Sequence, residues 1–291
     1  MSRVIYYLFI IPISRLPFPV LYLVSDFCFL LLYYLIPYRK KVVKLNIRNS
    51  FPEKSEKEIE IITRKFYQNF CDIILETFKT FTISEKELKK RLVQKNVKLV
   101  HELYEKKRSA IAVTGHYCNW EWVVVGSAGE MKHNPFGIYL PLNNKYFDEK
   151  LKKTRARFGM QLVSVKKTKE HLAEKKDELT ITGFISDQTP SNVNSCHWMK
   201  FLNQDTPVHF GVEKYAKDFN LAIVYGKTTR IKRGFYELDF LLITEHPREE
   251  EHGAISEKHM KILEKQIKES PENWLWTHRR WKHKKPDHVV I

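Results

Sequence analysis

Apolar residues run almost unbroken near the start of the chain, then fall at helical spacing, then gather into short blocks. Residues 16–38, LPFPVLYLVSDFCFLLLYYLIPY, lie between Arg15 and Arg39 and hold one charge, Asp26. A stretch of that length can cross a bilayer, or lie in its interface with a bend at Pro17 and Pro19. No small-residue cleavage site follows, and the apolar region is too long for a cleaved signal peptide. A buried core helix is the alternative. Asp26 does not suit a simple span and asks for a polar contact with the body or a shallow placement. Over residues 55–80 the apolar positions Ile59, Ile62, Phe66, Phe70, Ile73, Ile74 and Phe78 keep a helical period, and Ser55 with Glu58 forms a capping box at the start.

From residue 109 onward short apolar runs alternate with amphipathic stretches. The pattern predicts strands at 109–114, 136–140, 161–165, 179–185, 221–225 and 235–244. Helices are predicted at 120–130, 144–158, 169–176, 209–219 and 256–268. Alternation of this kind implies an α/β fold, with a single mixed, partly parallel sheet flanked by helices. The chain divides into an N-terminal membrane-anchoring segment (1–38), a helical connector packing on the core (39–108) and an α/β core with a Trp- and Arg-rich tail (109–291).

Charge narrows the class of partner. The net charge of +16 calls for anionic partners, whether nucleic acid, anionic lipid headgroups, phosphorylated substrates or an acidic carrier protein. Tyr38-Arg39-Lys40-Lys41 directly follows the apolar segment, and the positive-inside rule puts that flank on the cytoplasmic side. The four cysteines, Cys28, Cys71, Cys118 and Cys196, form no C-x-x-C pair and suit a reducing compartment. H-E-x-x-H, zinc-spaced Cys/His clusters, GxGxxG and P-loop patterns are absent from the sequence, so no metal and no resident cofactor is expected.

The sharpest local feature is Gly115-His116-Tyr117-Cys118-Asn119-Trp120-Glu121, directly after the strand at 109–114. A His at a strand end can take a proton from a hydroxyl if a carboxylate holds its other ring nitrogen. On one continuous helix positions five apart diverge by roughly 140°. His116 and Glu121 can therefore meet only if His116 sits on a turn and Glu121 on the helix behind it. Alone, the spacing is weak, because a chain with 12 His and 34 acidic residues contains such pairs by chance. Four other islands stand out: Thr154-Arg155-Ala156-Arg157-Phe158-Gly159, Ser186-Asp187-Gln188-Thr189-Pro190, Thr206-Pro207-Val208-His209, and the tail Trp274–Lys282. Taken separately, the arginines read as a phosphate or carboxylate clamp or as a helix C-terminus complementing the macrodipole, and Asp187-Gln188 read equally as a loop brace or hydroxyl ligand and as turn chemistry. The Trp/Arg tail reads as base-stacking, interfacial or packing residues.

Together and in this order, the islands resemble the lipid A biosynthesis acyltransferase family, a branch of the glycerolipid acyltransferase superfamily. GHYCNWE looks like its H-x4-D/E signature, TRARFG its arginine block, FISDQTP its Asp-Gln block, TPVH its Thr-Pro block and PENWLWTHRRWK its C-terminal signature. Cys118 stands where that family often has Gly or another small residue. The resemblance implies a glycerol-3-phosphate acyltransferase-like fold. It also implies transfer of a fatty acyl chain from a thioester, usually acyl carrier protein, to a hydroxyl of a lipid A precursor. In that reading His116 is the base and Glu121 orients it. Arg155 or Arg157, with Arg157 favoured, meets phosphate or the developing oxyanion. Asp187, Gln188, Thr206 and Pro207 shape substrate binding. The partners implied are a phosphorylated glycolipid acceptor, an acidic acyl carrier protein and the anionic surface of a bacterial inner membrane, with the body on the cytoplasmic side and no role for nucleic acid. Another membrane lipid (a glycolipid, an aminolipid or a phosphatidylinositol mannoside) is the alternative acceptor.

Overall fold

A computed structural model describes residues 2–193, 195–287 and 289. Its centre is a seven-stranded mixed sheet. The strands are β1 (Leu92–Lys95), β2 (Ala110–Thr114), β3 (Asn134–Tyr139), β4 (Gln161–Ser164), β5 (Thr180–Ile185), β8 (Ala222–Lys232) and β9 (Phe235–Thr244). Their order is β1-β9-β8-β2-β5-β3-β4, and every pairing is parallel except the β8–β9 hairpin. β2 and β5 lie inside the sheet, and β2 accordingly reads as a nearly continuous apolar run rather than an alternating one. A separate antiparallel hairpin joins β6 (Cys196–Phe201) to β7 (Gln204–His209) through Leu202 and Asn203, both left-handed at φ 50 and 63.

The expected α/β sheet is therefore present, with three local corrections. Residues 92–95, within the stretch read as a helical connector, pair with β9 as an edge strand. The helix expected from residue 209 does not include His209, and the residues leading into it, 206–209, are strand. They complete β7, and the helix begins at Gly211. The stretch 120–130 is helical only as Trp120–Gly126, followed by a 3₁₀ turn at Ala128–Glu130.

Helix Glu56–Lys79 is the longest element of the connector, and the Ser55–Glu58 capping box is formed at its start. Against it lies the apolar helix Phe18–Leu30, extended by a π-helical turn at Leu31–Leu35. This 18-residue stretch, Phe18–Leu35, is long and apolar enough to cross a membrane. Pro17 separates it from a further helical run over residues 2–15. One buried cluster extends from this helical layer through the sheet to the tail, from Phe29 and Tyr67 to Trp122, Tyr225 and Trp276.

Register between β2 and β5 positions the chemistry. Thr114 pairs with Ile185, so the two chains leave the sheet side by side at their carboxyl ends. Such strand ends are where sites form in open α/β sheets. His116 lies two residues past the end of β2, and Asp187 lies two residues past the end of β5.

Candidate active site

His116 and Asp187 meet as that register requires. The His116 backbone N–H donates to Asp187 Oδ2 at 2.9 Å, and ring Nδ1 lies 2.6 Å from Oδ1. Trp274 Nε1 donates to Oδ2 at 2.7 Å. Asp187 is buried, and burial by itself would raise its carboxyl. The His116 charge and the hydrogen bonds from His116 and Trp274 outweigh that and hold it at about 2. The ionised carboxylate accepts only, so Nδ1 must carry a hydrogen, and in the neutral form of the ring Nε2 is the nitrogen with the lone pair. Gln188 Nε2 stands 3.3 Å from that Nε2, and the Trp120 ring packs edge-on against the imidazole with centroids 5.2 Å apart.

The backbone around His116 is fixed from both sides. A Cβ on Gly115 would come within 2.9 Å of a Leu263 methyl and 3.3 Å of the Asp187 carboxyl carbon, so any larger residue would have to displace the Leu263 side chain and crowd the carboxylate. The tail then runs alongside the segment. Cys118 N–H donates to Asn273 O at 2.9 Å and Leu275 N–H to His116 O at 3.2 Å. Cys118 sits at φ 53, a left-handed conformation that costs a Cβ-bearing residue about 1–2 kcal/mol. Its thiol is buried, and burial pushes it far above its ordinary value, so it stays protonated and is no nucleophile. Asn119 caps the helix Trp120–Gly126 by accepting from Trp122 N–H.

Glu121 does not hold His116. It takes Arg155 in a two-pronged pair, Nη2 to Oε1 at 2.6 Å and Nε to Oε2 at 3.1 Å. The reason is geometric: Glu121 starts the helix behind the turn, while Nδ1 faces back toward β5. His116 and the Glu121–Arg155 pair nevertheless line one cavity of about 340 Å³, walled also by Gln188, Trp120, Met160, Leu162 and Phe240, with Asp187 buried behind the imidazole. Its floor is bare. Ala112, Gly183 and Gly137 are successive partners across β2, β5 and β3, and all three line it.

The remaining expected residues lie elsewhere. Arg157 donates to the carbonyls of Thr80 (2.6 Å) and Ile83 (2.9 Å), which ties down the end of helix Glu56–Lys79 and leaves Arg155 as the arginine of the cavity. Thr206 is buried, its hydroxyl donating to Gln204 O (2.9 Å) and accepting from Trp281 Nε1 (2.7 Å). Pro207 O accepts from Arg280 Nη2 at 2.7 Å. Both secure the tail rather than wall the cavity. Trp274 and Trp276 are buried too, so packing is the reading of the Trp/Arg tail that holds. Sequence reasoning left Trp274 without a role at the site and gave Asp187 only a shaping one. The available signal for Asp187 was its position, two residues beyond a buried strand, just like His116.

Residues 2–283 match the sequence model of one family, bacterial lipid A biosynthesis acyltransferase. A lipid A biosynthesis acyltransferase of Haemophilus influenzae is 24% identical over 248 residues, covering 84% of this chain and 78% of that protein.

Proposed function

We propose, because this chain belongs to the bacterial lipid A biosynthesis acyltransferase family, that it transfers a fatty acyl chain from an acyl thioester to a hydroxyl of a lipid A precursor. His116 is the general base and Asp187 is its partner. The observation that carries this reading is the 2.6 Å contact from His116 Nδ1 to Asp187, beside a cavity that His116 lines.

The steps follow from that geometry. Nε2 takes the proton of the acceptor hydroxyl, and the oxygen attacks the thioester carbonyl. Asp187 stabilises the imidazolium that forms and keeps the ring oriented, as the carboxylate of a catalytic triad does. The tetrahedral intermediate collapses, and the departing thiolate recovers the proton from Nε2. No covalent enzyme intermediate is needed, in keeping with a buried, protonated Cys118. Arg155, braced by Glu121, sets a fixed positive charge at the cavity wall for the oxyanion or for a phosphate of the acceptor. The bare floor of Ala112, Gly183 and Gly137 gives a flexible alkyl chain room to lie across the sheet.

Acyl carrier protein is the donor that the chain's charge favours, since an excess of +16 suits an acidic carrier as well as a phosphorylated acceptor. The apolar helix Phe18–Leu35 supports attachment to the bacterial inner membrane, and the basic run from Arg39 suits the anionic cytoplasmic leaflet, in support of a body on that side. The test is transfer of a labelled acyl group from acyl carrier protein to a purified lipid A precursor. His116→Ala should abolish it while the protein still folds. Transfer by His116→Ala within a few-fold of the parent would overturn the mechanism. Transfer to other lipid hydroxyls but not to the precursor would replace the acceptor.

A further inference from the structure

The N-terminal helices are bonded to the body on one side and bare on the other. Leu21, Ser25, Phe29 and Tyr33 are buried at every fourth position, one stripe along the helix. Polar bonds hold that stripe down. Ser25 Oγ donates to Asp72 Oδ1 at 2.6 Å, the Tyr22 hydroxyl donates to Glu76 Oε1 at 2.9 Å, and Asp26 pairs with Arg233 at 2.6 Å. On the opposite side Leu23, Phe27, Leu30 and Tyr34 are exposed. A helix strapped along its length to Glu56–Lys79 cannot stand across a bilayer unless that charged helix enters hydrocarbon too. The bonding fits a helix lying flat in the membrane interface.

The bare surface continues to the mouth of the cavity. Residues 2–15 add exposed Val4, Tyr7, Leu8 and Phe9. Asn144 Nδ2 donates to Ser2 Oγ at 2.8 Å, the Tyr6 and Tyr146 rings meet edge-on at 5.7 Å, and Lys150 Nζ lies 4.7 Å from the centre of Tyr6. Just before Asn144 comes Leu140-Pro141-Leu142. Leu140 is 74% exposed and Leu142 45%, although both also line the cavity. Two large apolar side chains at the lip, left in water, would be a cost without a partner. Lys145, Lys150, Lys152 and Lys153 follow directly, giving anionic headgroups a matching charge.

We propose that Leu140 and Leu142 insert into an anionic lipid leaflet, so that the lip of the cavity and the N-terminal helices form one bilayer-facing surface. The acceptor then passes from leaflet to His116 without crossing water. This rests on the acyltransferase reading above for what enters the cavity, but the seating of the lip can be measured separately.

Two experiments on the full chain test it. In the first, Leu140→Trp is mixed with phosphatidylglycerol-containing vesicles, and the emission added over the parent is examined. Quenching of that emission by lipids brominated near the headgroup end of their chains, with protection from aqueous iodide, is the expected result. Open quenching by iodide in the bound protein overturns the proposal, whatever the chemistry of the cavity. In the second, the lipid acceptor is presented either in those vesicles or in detergent micelles to the parent, to L140E/L142E and to L140M/L142M. The ratio of kcat/KM on vesicles to that in micelles should fall at least tenfold for the Glu pair and stay near the parent's for the Met pair. An unchanged ratio in the Glu pair defeats the proposal. A parent inactive in both formats defeats the acyltransferase reading instead, and leaves the quenching result to decide the lip.

Discussion

At the residue scale the two carboxylates nearest His116 in fold and in sequence are engaged by different partners. Asp187 accepts three hydrogen bonds, two of them from His116, whereas Glu121 is occupied by Arg155. Asp187→Asn removes the charge and admits the wrong ring tautomer. By analogy with triad carboxylates, kcat should fall by about 10³–10⁴ while the acceptor KM changes little. Glu121→Gln loosens Arg155 without touching Nδ1, so its smaller effect should fall mainly on KM. Steady-state kinetics of the two variants separate these duties, and a larger kcat loss in Glu121→Gln than in Asp187→Asn would return the orienting role to Glu121. The sequence hid this division for a physical reason. Glu121 is near His116 in number, but Asp187 is 71 positions away and arrives only through parallel strand pairing. Cys118 was legible as a departure from a small residue, and its left-handed backbone supplies the reason that a small residue suits the position.

At the scale of elements, what could be read was whatever repeats along the chain. The capping box and the helical period from Ile59 onward correspond to Glu56–Lys79, and the apolar block at 109–114 to β2. What could not be read was pairing between distant segments. β1 is four residues long with one buried position, too short for any period to mark it. β7 contains Pro207, which argues for a boundary, yet an edge hairpin tolerates it opposite Trp198. The bare floor of the cavity is likewise a property of register, since Ala112, Gly183 and Gly137 are unremarkable until β2, β5 and β3 align. A Cβ at Gly183 would touch only the Phe136 carbonyl, at 3.5 Å, so a side chain there projects into the cavity without disturbing the sheet. Gly183→Leu should therefore keep the fold and shorten the longest acyl chain accepted. Each methylene excluded is worth about 1–3 kcal/mol of discrimination. Competition between long and short acyl donors checks this. An unaltered preference would mean the chain runs elsewhere.

At the scale of the whole molecule the layers are joined by buried polar groups, which makes stability sensitive to acid. Glu76 accepts from Tyr22 on the apolar helix, from Asn119 behind the turn that carries His116 and from Tyr236 on β9. Truncating it leaves three donors to find new partners in the interior, at roughly 1–3 kcal/mol for each that fails. Glu76→Ala should accordingly lower Tm by many degrees, and an unchanged Tm would show that the node is dispensable. Two contributions to the pH response have defined windows. Burial lowers His259 to about 4, and burial, with help from Arg280 and other nearby charges, does the same for His278. Both lie below the ordinary His value of 6.5, so between about 6.5 and 4 the unfolded chain binds protons that the folded chain refuses. Stability is complete above that window and falls as pH descends through it. For the fully buried His259 the loss is roughly 3 kcal/mol, at about 1.4 kcal/mol per unit. Asp187, held at about 2, contributes stability above its ordinary 3.8 that disappears only between there and about 2. Urea unfolding should therefore show a steep decline from pH 6.5 to 4.5 that His259→Gln makes shallower, while Asp187→Asn, which removes a charge that raises both imidazoles, should carry that decline to lower pH and abolish the separate step between 3.8 and about 2. A flat profile from pH 6.5 to 4.5 in the parent would mean that these imidazoles protonate in place, and that the packing around His259 yields to charge more readily than its burial implies.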